Sequence, residues 1–390
     1  MRLLVVHNFY LNPGGEDQVF RNEVALLRDH GHDVYVYTIN NEKITKMSKV
    51  PAAINTVWSW RSFKNIKELV TELNPDLVHF HNTFPLLSPS VYFACHSANI
   101  PVVQSLHNYR LLCPSALFFK HGKTCTRCLG LRFPWPGIWH ACYRNSYGAS
   151  FTVALMLLLY KWLSRWKNLV NCYIALSEFS RQKFIHGGIA EKRIFVKPNF
   201  INVESGMDSI KGDYAVFVGR ISEEKGIDIL LRAWGKNRSG QLLILGSGPQ
   251  EDKVRAAIRN QNLIGITLKG QISRNEVIST IANSQFLIVP SLCFENFPMV
   301  IIEAYACGVP VIASRLGAMA EIVLDRKTGL LFTAGDAKDL IDKLRWAWDH
   351  PHEMRLMGRN GQKEFKAKYT TDTNYQMLMY IYQRAFDNHR

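Results

Sequence analysis

The sequence predicts two doubly wound α/β domains, and three observations carry that prediction. The chain has 390 residues, enough for two domains of about 100–200 residues, each able to bury a core. Short apolar runs alternate from end to end with amphipathic helical patterns, as parallel sheets covered on both faces require. A polar segment at 202–213, with Gly206 and Gly212, interrupts that alternation near the middle and reads as a linker. Hydrophobic residues at 47% and charged residues at 20% exclude a disordered or fibrous chain. A mean hydropathy of −0.08 excludes a polytopic membrane protein.

The opening run Leu3-Leu4-Val5-Val6-His7 is too short for a signal peptide, and no small-residue cleavage site follows it. It reads as a buried first strand, 2–8, of a cytoplasmic protein. In 16–30, Val19, Glu23, Leu26 and Leu27 share one helical face, and Gly31 supplies the stop. Strands at 33–39, 77–82, 102–108, 172–177 and 194–198 complete a first domain over 1–200. Strands at 214–219, 242–246, 266–269, 286–290, 309–314 and 329–332 build a second over 201–370. In 371–390, Tyr375, Leu378, Met379, Tyr382, Ala385 and Phe386 have helical spacing, which predicts a terminal helix packed on a domain face. Ligands of such sheets sit beyond the carboxyl ends of the strands, so the cleft between the domains is the expected active site.

Charge is distributed unevenly. Lys and Arg number 47 against 32 Asp and Glu, a net +15. Residues 1–200 hold 23 against 11, and residues 201–390 hold 24 against 21. Between Asp76 and Glu178 there is no carboxylate, while nine Lys and Arg fall in that interval. The excess implies an anionic partner for the first half. No recognised nucleic-acid module accompanies it, so an anionic lipid surface or a lipid diphosphate is the expected partner. The segment 145–160 is uncharged and ends Ala154-Leu155-Met156-Leu157-Leu158-Leu159-Tyr160, followed by Lys161, Trp162, Arg165, Trp166 and Lys167. It is shorter than the roughly 20 residues of a spanning helix. Either a membrane-surface helix with basic and Trp anchors, or a buried helix with a snorkelling basic end, fits it.

Four of eight cysteines cluster as C-x(11)-C-x(2)-C-x(13)-C: Cys113, Cys125, Cys128 and Cys142. The C-x-x-C pair is the tight chelating half of many zinc sites, which makes a structural zinc the leading expectation. Reduced thiols in a loop-rich insertion, or a redox pair, are the alternatives. The surrounding segment, 109–147, carries Phe118, Phe119, Phe133, Trp135 and Trp139 among its basic residues.

Three motifs carry chemistry. Gly14-Gly15, after the first strand, opens a helix, where backbone can approach a ligand and the helix N-terminus favours phosphate. This is not the G-x-G-x-x-G pattern, which argues against a dinucleotide dehydrogenase. The second domain begins Val218-Gly219-Arg220-Ile221-Ser222-Glu223-Glu224-Lys225-Gly226, placing two cations where they could neutralise a diphosphate. A solvated loop pairing Lys225 with Glu223 or Glu224 is the plainer reading. In Phe294-Glu295-Asn296-Phe297-Pro298-Met299-Val300-Ile301-Ile302-Glu303-Ala304, two carboxylates span a loop and the start of a helix. Such a pair serves acid–base chemistry or binds the hydroxyls of a sugar and a ribose.

Taken together, Gly219-Arg220-x(4)-Lys225-Gly226 and Glu295-x(7)-Glu303, with Ala306-Cys307-Gly308-Val309-Pro310-Val311-Ile312-Ala313-Ser314 following, resemble the family 4 retaining glycosyltransferases, of the bacterial surface-polysaccharide type. The resemblance is close over 214–335 and weaker but continuous over 1–200. It implies GT-B architecture, two Rossmann-like domains facing each other across a cleft. It implies that Arg220 and Lys225 hold the diphosphate of a UDP- or GDP-linked sugar, that Glu303 binds the ribose, and that Glu295 binds the transferred sugar. Backbone around Asn296, Phe297 and Met299 would position that sugar. Gly219, Gly246 and Gln271 would line the nucleotide pocket, Gly14 and Gly15 would lie near the diphosphate, and His107 would stand beside the reacting sugar. No cofactor is then required for catalysis beyond the donor itself. The acceptor is expected to be lipid-linked or a glycan, and the enzyme peripheral on the inner face of the membrane. Many family members lack the segment from Cys113 to Cys142, whose place suggests acceptor selection. A GT-B phosphorylase, a nucleotide-sugar epimerase and a zinc-containing nucleic-acid-binding protein are the alternatives.

Overall fold

The computed structural model describes residues 1–11, 14–162, 169–202, 212–235 and 240–389. The chain forms two compact units, Met1–Phe118, Thr126–Asn199 and Thr371–Arg390 in the first, Phe119–Cys125 and Phe200–Thr370 in the second. Most of the expected linker, 203–211, lies outside the described residues.

In the first unit the elements are β1 (Arg2–Phe9), α1 (Gly15–Asp29), β2 (Asp33–Asn40), α2 (Glu42–Thr45), α3 (Lys49–Val57), α4 (Trp60–Leu73), β3 (Leu77–Asn82), α5 (Ser90–Ser97) and β4 (Val102–Ser105). A short hairpin follows, β5 (Phe119–Lys120) with β6 (Lys123–Thr124), which belongs to the second unit. Then come α6 (Trp135–Trp139), α7 (Tyr147–Trp162), β7 (Cys172–Ala175), α8 (Glu178–His186) and β8 (Ile194–Val196). The sheet is parallel, in the order β2-β1-β3-β4-β7-β8. Several strands, among them β4, β7 and β8, stop earlier than the apolar runs suggest. Beyond Ser105 the chain turns, with the Asn108 side chain accepting the Arg110 N–H at 3.0 Å, so His107 stands past the strand rather than in it. Beyond Ala175, Ser177 caps α8 by accepting from the Ser180 N–H, a role that needs it outside the sheet.

The second unit repeats the plan: β9 (Tyr214–Val218), α9 (Ile227–Trp234), β10 (Gln241–Leu245), α10 (Glu251–Asn260), β11 (Ile266–Gly270), α11 (Arg274–Ala282), β12 (Leu287–Val289), α12 (Met299–Ala306), β13 (Val311–Ser314), α13 (Gly317–Ile322), β14 (Gly329–Phe332), α14 (Ala337–Asp349) and α15 (Pro351–Lys368). Its parallel order is β11-β10-β9-β12-β13-β14. The last helix, α16 (Thr371–Asp387), returns to the first unit. Its Leu378, Ile381, Tyr382 and Ala385, at helical spacing, join the core of Leu3, Val5, Phe20, Leu27 and Ile174. Each fully buried large side chain there stabilises the unit by about 1.5–3 kcal/mol.

The uncharged segment 145–160 is a core helix on one face. In α7, Val153, Met156 and Leu157 are buried with Phe84 and pack against Val57, Trp58 and Phe93. Lys161 donates to the Leu131 carbonyl at 3.2 Å. The opposite face leaves Tyr147 and Phe151 exposed. Arg165, Trp166 and Lys167 lie outside the described residues. Among the described residues no helix is long and apolar enough to cross a membrane.

Candidate active site

In the second sheet the strand order reverses between β9 and β12, and crevices beyond the carboxyl ends at such points are where ligands bind. The floor there is bare backbone. Gly246 has φ +130, and a Cβ on it would come within 2.0 Å of the Gly219 carbonyl oxygen. Its N–H donates to the Gly270 carbonyl at 2.8 Å. Arg220 leaves β9 exposed, and Gln271 is exposed just after β11.

Lys225 ends a short 3₁₀ turn, Glu223–Lys225, pressed onto the chain that leaves β12. Leu292 N–H donates to the Glu224 carbonyl at 2.8 Å. The next residue, Gly226, has φ +72, and a Cβ there would stand 1.9 Å from the Pro290 carbonyl oxygen. Only glycine fits. This docking brings the Lys225 ammonium to 2.6 Å from Glu295 Oε1, which also accepts from the Ser291 hydroxyl at 2.6 Å. Neither Glu223 nor Glu224 takes the lysine, as the plainer reading of the loop had it; the Ser222 hydroxyl instead donates to Glu224 at 2.6 Å. Burial alone would push Glu295 up and Lys225 down, but each holds the other ionised: the carboxyl lies below its ordinary range and the ammonium above.

Glu303, buried in α12, stands 3.0 Å from Arg274. Burial raises its carboxyl above the ordinary range, with Arg274 partly opposing. Arg274 escaped the sequence reading, although Ser273-x-x-Glu276 is a capping box that fixes it as the first residue of α11. Asn296 and Phe297 are buried, Phe297 against the Tyr369 ring at 5.9 Å. Met299 opens α12, whose first N–H groups have no partner four residues back. In the second unit, then, Gly219 and Gly246 directly follow strand ends, Lys225 and Glu295 stand on the segments that leave β9 and β12, and Glu303 is on α12.

In the first unit His107 ends a buried polar chain. Lys197 Nζ lies 2.8 Å from Glu23 Oε2 and 2.9 Å from Asn374 Oδ1. Glu23 Oε1 lies 3.1 Å from His79 Nδ1 and 3.3 Å from His81 Nε2. His81 Nδ1 meets His107 Nε2 at 2.9 Å. Burial would raise Glu23, but Lys197 and the two histidines hold it well below the carboxyl range. Burial lowers His81 to about 4 and carries His107 well below the histidine range, so both are neutral at pH 7. Of the two neutral rings, one donates and the other accepts in the His81–His107 contact. Glu23, His79 and His81 bring ligand atoms within 4.8 Å of one another. They do not fit a metal: Lys197 already neutralises the carboxylate, and both His79 nitrogens bond hydroxyls, Tyr382 at 2.8 Å and Ser105 at 2.9 Å. The alternation His79-x-His81 within an apolar strand was the available signal.

Gly14 caps α1 and is exposed with Gly15. Asp17 holds the turn, accepting from the Gly14 N–H at 3.1 Å and lying 2.7 Å from buried His7 Nε2. Next to the glycines, Glu16 accepts from the Tyr10 hydroxyl at 3.0 Å, and Asn108 Nδ2 donates to Tyr10 at 3.0 Å. Asn108 thus ties the His107 loop to the glycine turn. Burial pushes the Glu16 carboxyl up to about 8.

The structure gives the zinc expectation no support. Among the described residues, no three of Cys113, Cys125, Cys128 and Cys142 bring sulfurs within 4.8 Å of one another. Cys113 Sγ pairs with the Ser115 hydroxyl at 3.2 Å, and Cys128 donates to the Pro134 carbonyl at 3.9 Å. None of the four is in a disulfide.

Two six-stranded parallel sheets, each with a reversal of strand order, define two doubly wound α/β units. The family matches agree: residues 13–205 match the Glycosyltransferase Family 4 model, and residues 209–364 match the Glycosyl transferases group 1 model. The chain belongs to the GT-B glycosyltransferases. Among curated relatives, an uncharacterized glycosyltransferase of Methanocaldococcus jannaschii is 32% identical over 197 residues, 50% of this chain and 55% of that protein. The D-rhamnosyltransferase WbpZ of Pseudomonas aeruginosa is 25% identical over 46% of this chain and 48% of its own. The matched part thus spans about half the length of these relatives. Among solved structures, Anabaena HepE in complex with UDP-glucose superposes with a TM-score of 0.71 at 16% identity, over 98% of this chain and 99% of HepE. Sucrose-phosphate synthase from Thermosynechococcus elongatus gives 0.71 at 18% identity, over 99% and 100%. These likenesses establish the fold.

Proposed function

We propose that the protein is a retaining glycosyltransferase that moves a sugar from a UDP- or GDP-linked donor to a lipid-linked or polysaccharide acceptor in cell-surface glycan assembly. The Lys225–Glu295 pair at the switch point of the second sheet carries the reading: a cation is locked beside a sugar-binding carboxylate. An ammonium has three donors, and with one on Glu295 the others are available to phosphate oxygens. Lys225 and Arg220 stabilise the charge that grows on the diphosphate as the bond from anomeric carbon to phosphate oxygen breaks. The departing phosphate oxygen takes the acceptor's proton, so neither glutamate need attack the sugar. Glu303, oriented by Arg274, accepts from ribose hydroxyls, and the N–H groups of Asn296, Phe297 and Met299 orient the donor. Neutral His107 stands beside the reacting sugar. Gly14 and Gly15 let backbone reach the diphosphate. The names of the relatives, and the UDP-glucose held by HepE, support a nucleotide-sugar donor.

The test is a panel of UDP- and GDP-sugars, incubated with and without a lipid extract as acceptor, reading nucleoside diphosphate release. Acceptor-dependent release from one donor supports the reading. Phosphate-dependent formation of a sugar 1-phosphate would make the chain a phosphorylase, and an epimerised donor without release would make it an epimerase.

A further inference from the structure

The first unit carries a solvent-facing aromatic surface that the donor site does not use. On α3, Val50 and Ile54 are 69% and 59% exposed, and Trp60 at the start of α4 is 69% exposed. On α6, Trp135 and Trp139 are 58% and 73% exposed; on α7, Tyr147 and Phe151 are 67% and 49% exposed. Each of the three helices thus shows solvent a pair spaced i, i+4, which is one ridge along one face. Both α3 and α6 pack on α7, so the ridges belong to one helical layer. Its inner side is already filled by Val153, Met156 and Leu157, so the outer residues are surplus to the core.

The stretches of chain that carry these ridges hold charge of one sign. No carboxylate occurs between Glu42 and Glu68, the stretch that holds α3 and the start of α4. None occurs between Asp76 and Glu178, the stretch that holds α6 and α7. Exposed cations do occur there: Lys46, Lys49, Arg61, Arg127, Arg132 and Arg144. Large apolar side chains exposed together on one helical layer mark an interaction site. Trp and Tyr flanked by Lys and Arg, with no acid among them, is the composition that settles at the headgroup level of an anionic bilayer. A protein partner would have to supply carboxylates alone.

We propose that the α3–α6–α7 face docks the protein on an anionic lipid surface, its aromatic ridges entering the headgroup layer and its Lys and Arg pairing with lipid phosphates. The inference stands on this surface alone and does not depend on the donor assignment.

Co-flotation tests it, using vesicles of phosphatidylcholine with and without equal parts of phosphatidylglycerol. The wild type should float with the anionic vesicles, less so as salt rises, and stay behind with phosphatidylcholine alone. A Trp135→Ser, Trp139→Ser variant should bind roughly tenfold more weakly, and Ile54→Ser should weaken binding in the same direction. Both replace exposed side chains, so circular dichroism should match the wild type. Ile264→Ser, which removes an 84% exposed apolar residue of the second unit, should leave flotation unchanged. Failure of the wild type to float, equal flotation by the tryptophan variant, or a wild-type dimer dissolved by the tryptophan substitutions would each overturn the proposal.

Discussion

Replacing Lys225 by alanine removes the one ammonium that the fold locks onto Glu295, at 2.6 Å, and so isolates its contribution to holding a diphosphate. A charge-assisted hydrogen bond contributes about 1.5–3 kcal/mol, which at 1.4 kcal/mol per decade weakens UDP binding roughly 10- to 150-fold. The effect should fall on the second phosphate, so UMP affinity should change far less than UDP affinity. Glu295 adds to the loss in the same direction, because among the described residues its carboxylate is left with the Ser291 hydroxyl and repels the incoming anion. Folding should suffer modestly. The Lys225 side chain is 30% exposed and that of Glu295 12%, so breaking the pair should cost ~1–3 kcal/mol, below the cost at a fully buried pair. Isothermal titration with UDP and UMP, alongside urea unfolding, separates the two effects. For a UDP-linked donor, an unchanged UDP affinity, or equal losses for UDP and UMP, would refute the reasoning; for a GDP-linked donor the same holds of GDP and GMP.

Further outcomes follow from the same geometry. Glu303→Ala should weaken uridine nucleotides and uridine alike by about 1.5–3 kcal/mol. Arg274→Ala should give a smaller loss in the same direction, because it orients Glu303 from 3.0 Å; titration with uridine reads both. Lys197→Met leaves the Glu23 carboxylate buried without its cation and should cost about 3–5 kcal/mol of stability in urea unfolding. Glu23 itself has a depressed folded pKa, so its contribution is present above the ordinary carboxyl range and is lost as pH falls through the folded value. Glu16 has the opposite sign. Its folded pKa, about 8, lies above its unfolded one, so stability declines as pH rises from the ordinary carboxyl range to about 8. Glu16→Gln should remove that slope from unfolding curves taken across the range.

The sheets were legible because apolar runs bounded by polar turns leave little else for such segments to be, and all twelve expected strands have counterparts. Lys225, Glu295 and Glu303 stood out for a related reason: charges beside buried strand ends are conspicuous. Their pairing was not legible, since Lys225 meets a glutamate 70 positions away rather than its neighbours Glu223 and Glu224. That choice is made by Gly226 packing on Pro290, a tertiary contact. The chain from Lys197 through Glu23 and His81 to His107 was hidden similarly, because it joins an isolated lysine, a helix and a strand. The cysteine spacing stands apart: among the described residues Cys113 and Cys128 contact Ser115 and Pro134, close to them in sequence.

The most direct test is proton NMR of the first product formed from a defined α-linked donor and its acceptor. The account predicts one new glycosidic linkage that keeps the donor's anomeric configuration, with one nucleoside diphosphate released per linkage. An inverted linkage, or a free sugar 1-phosphate in place of a glycoside, would contradict it.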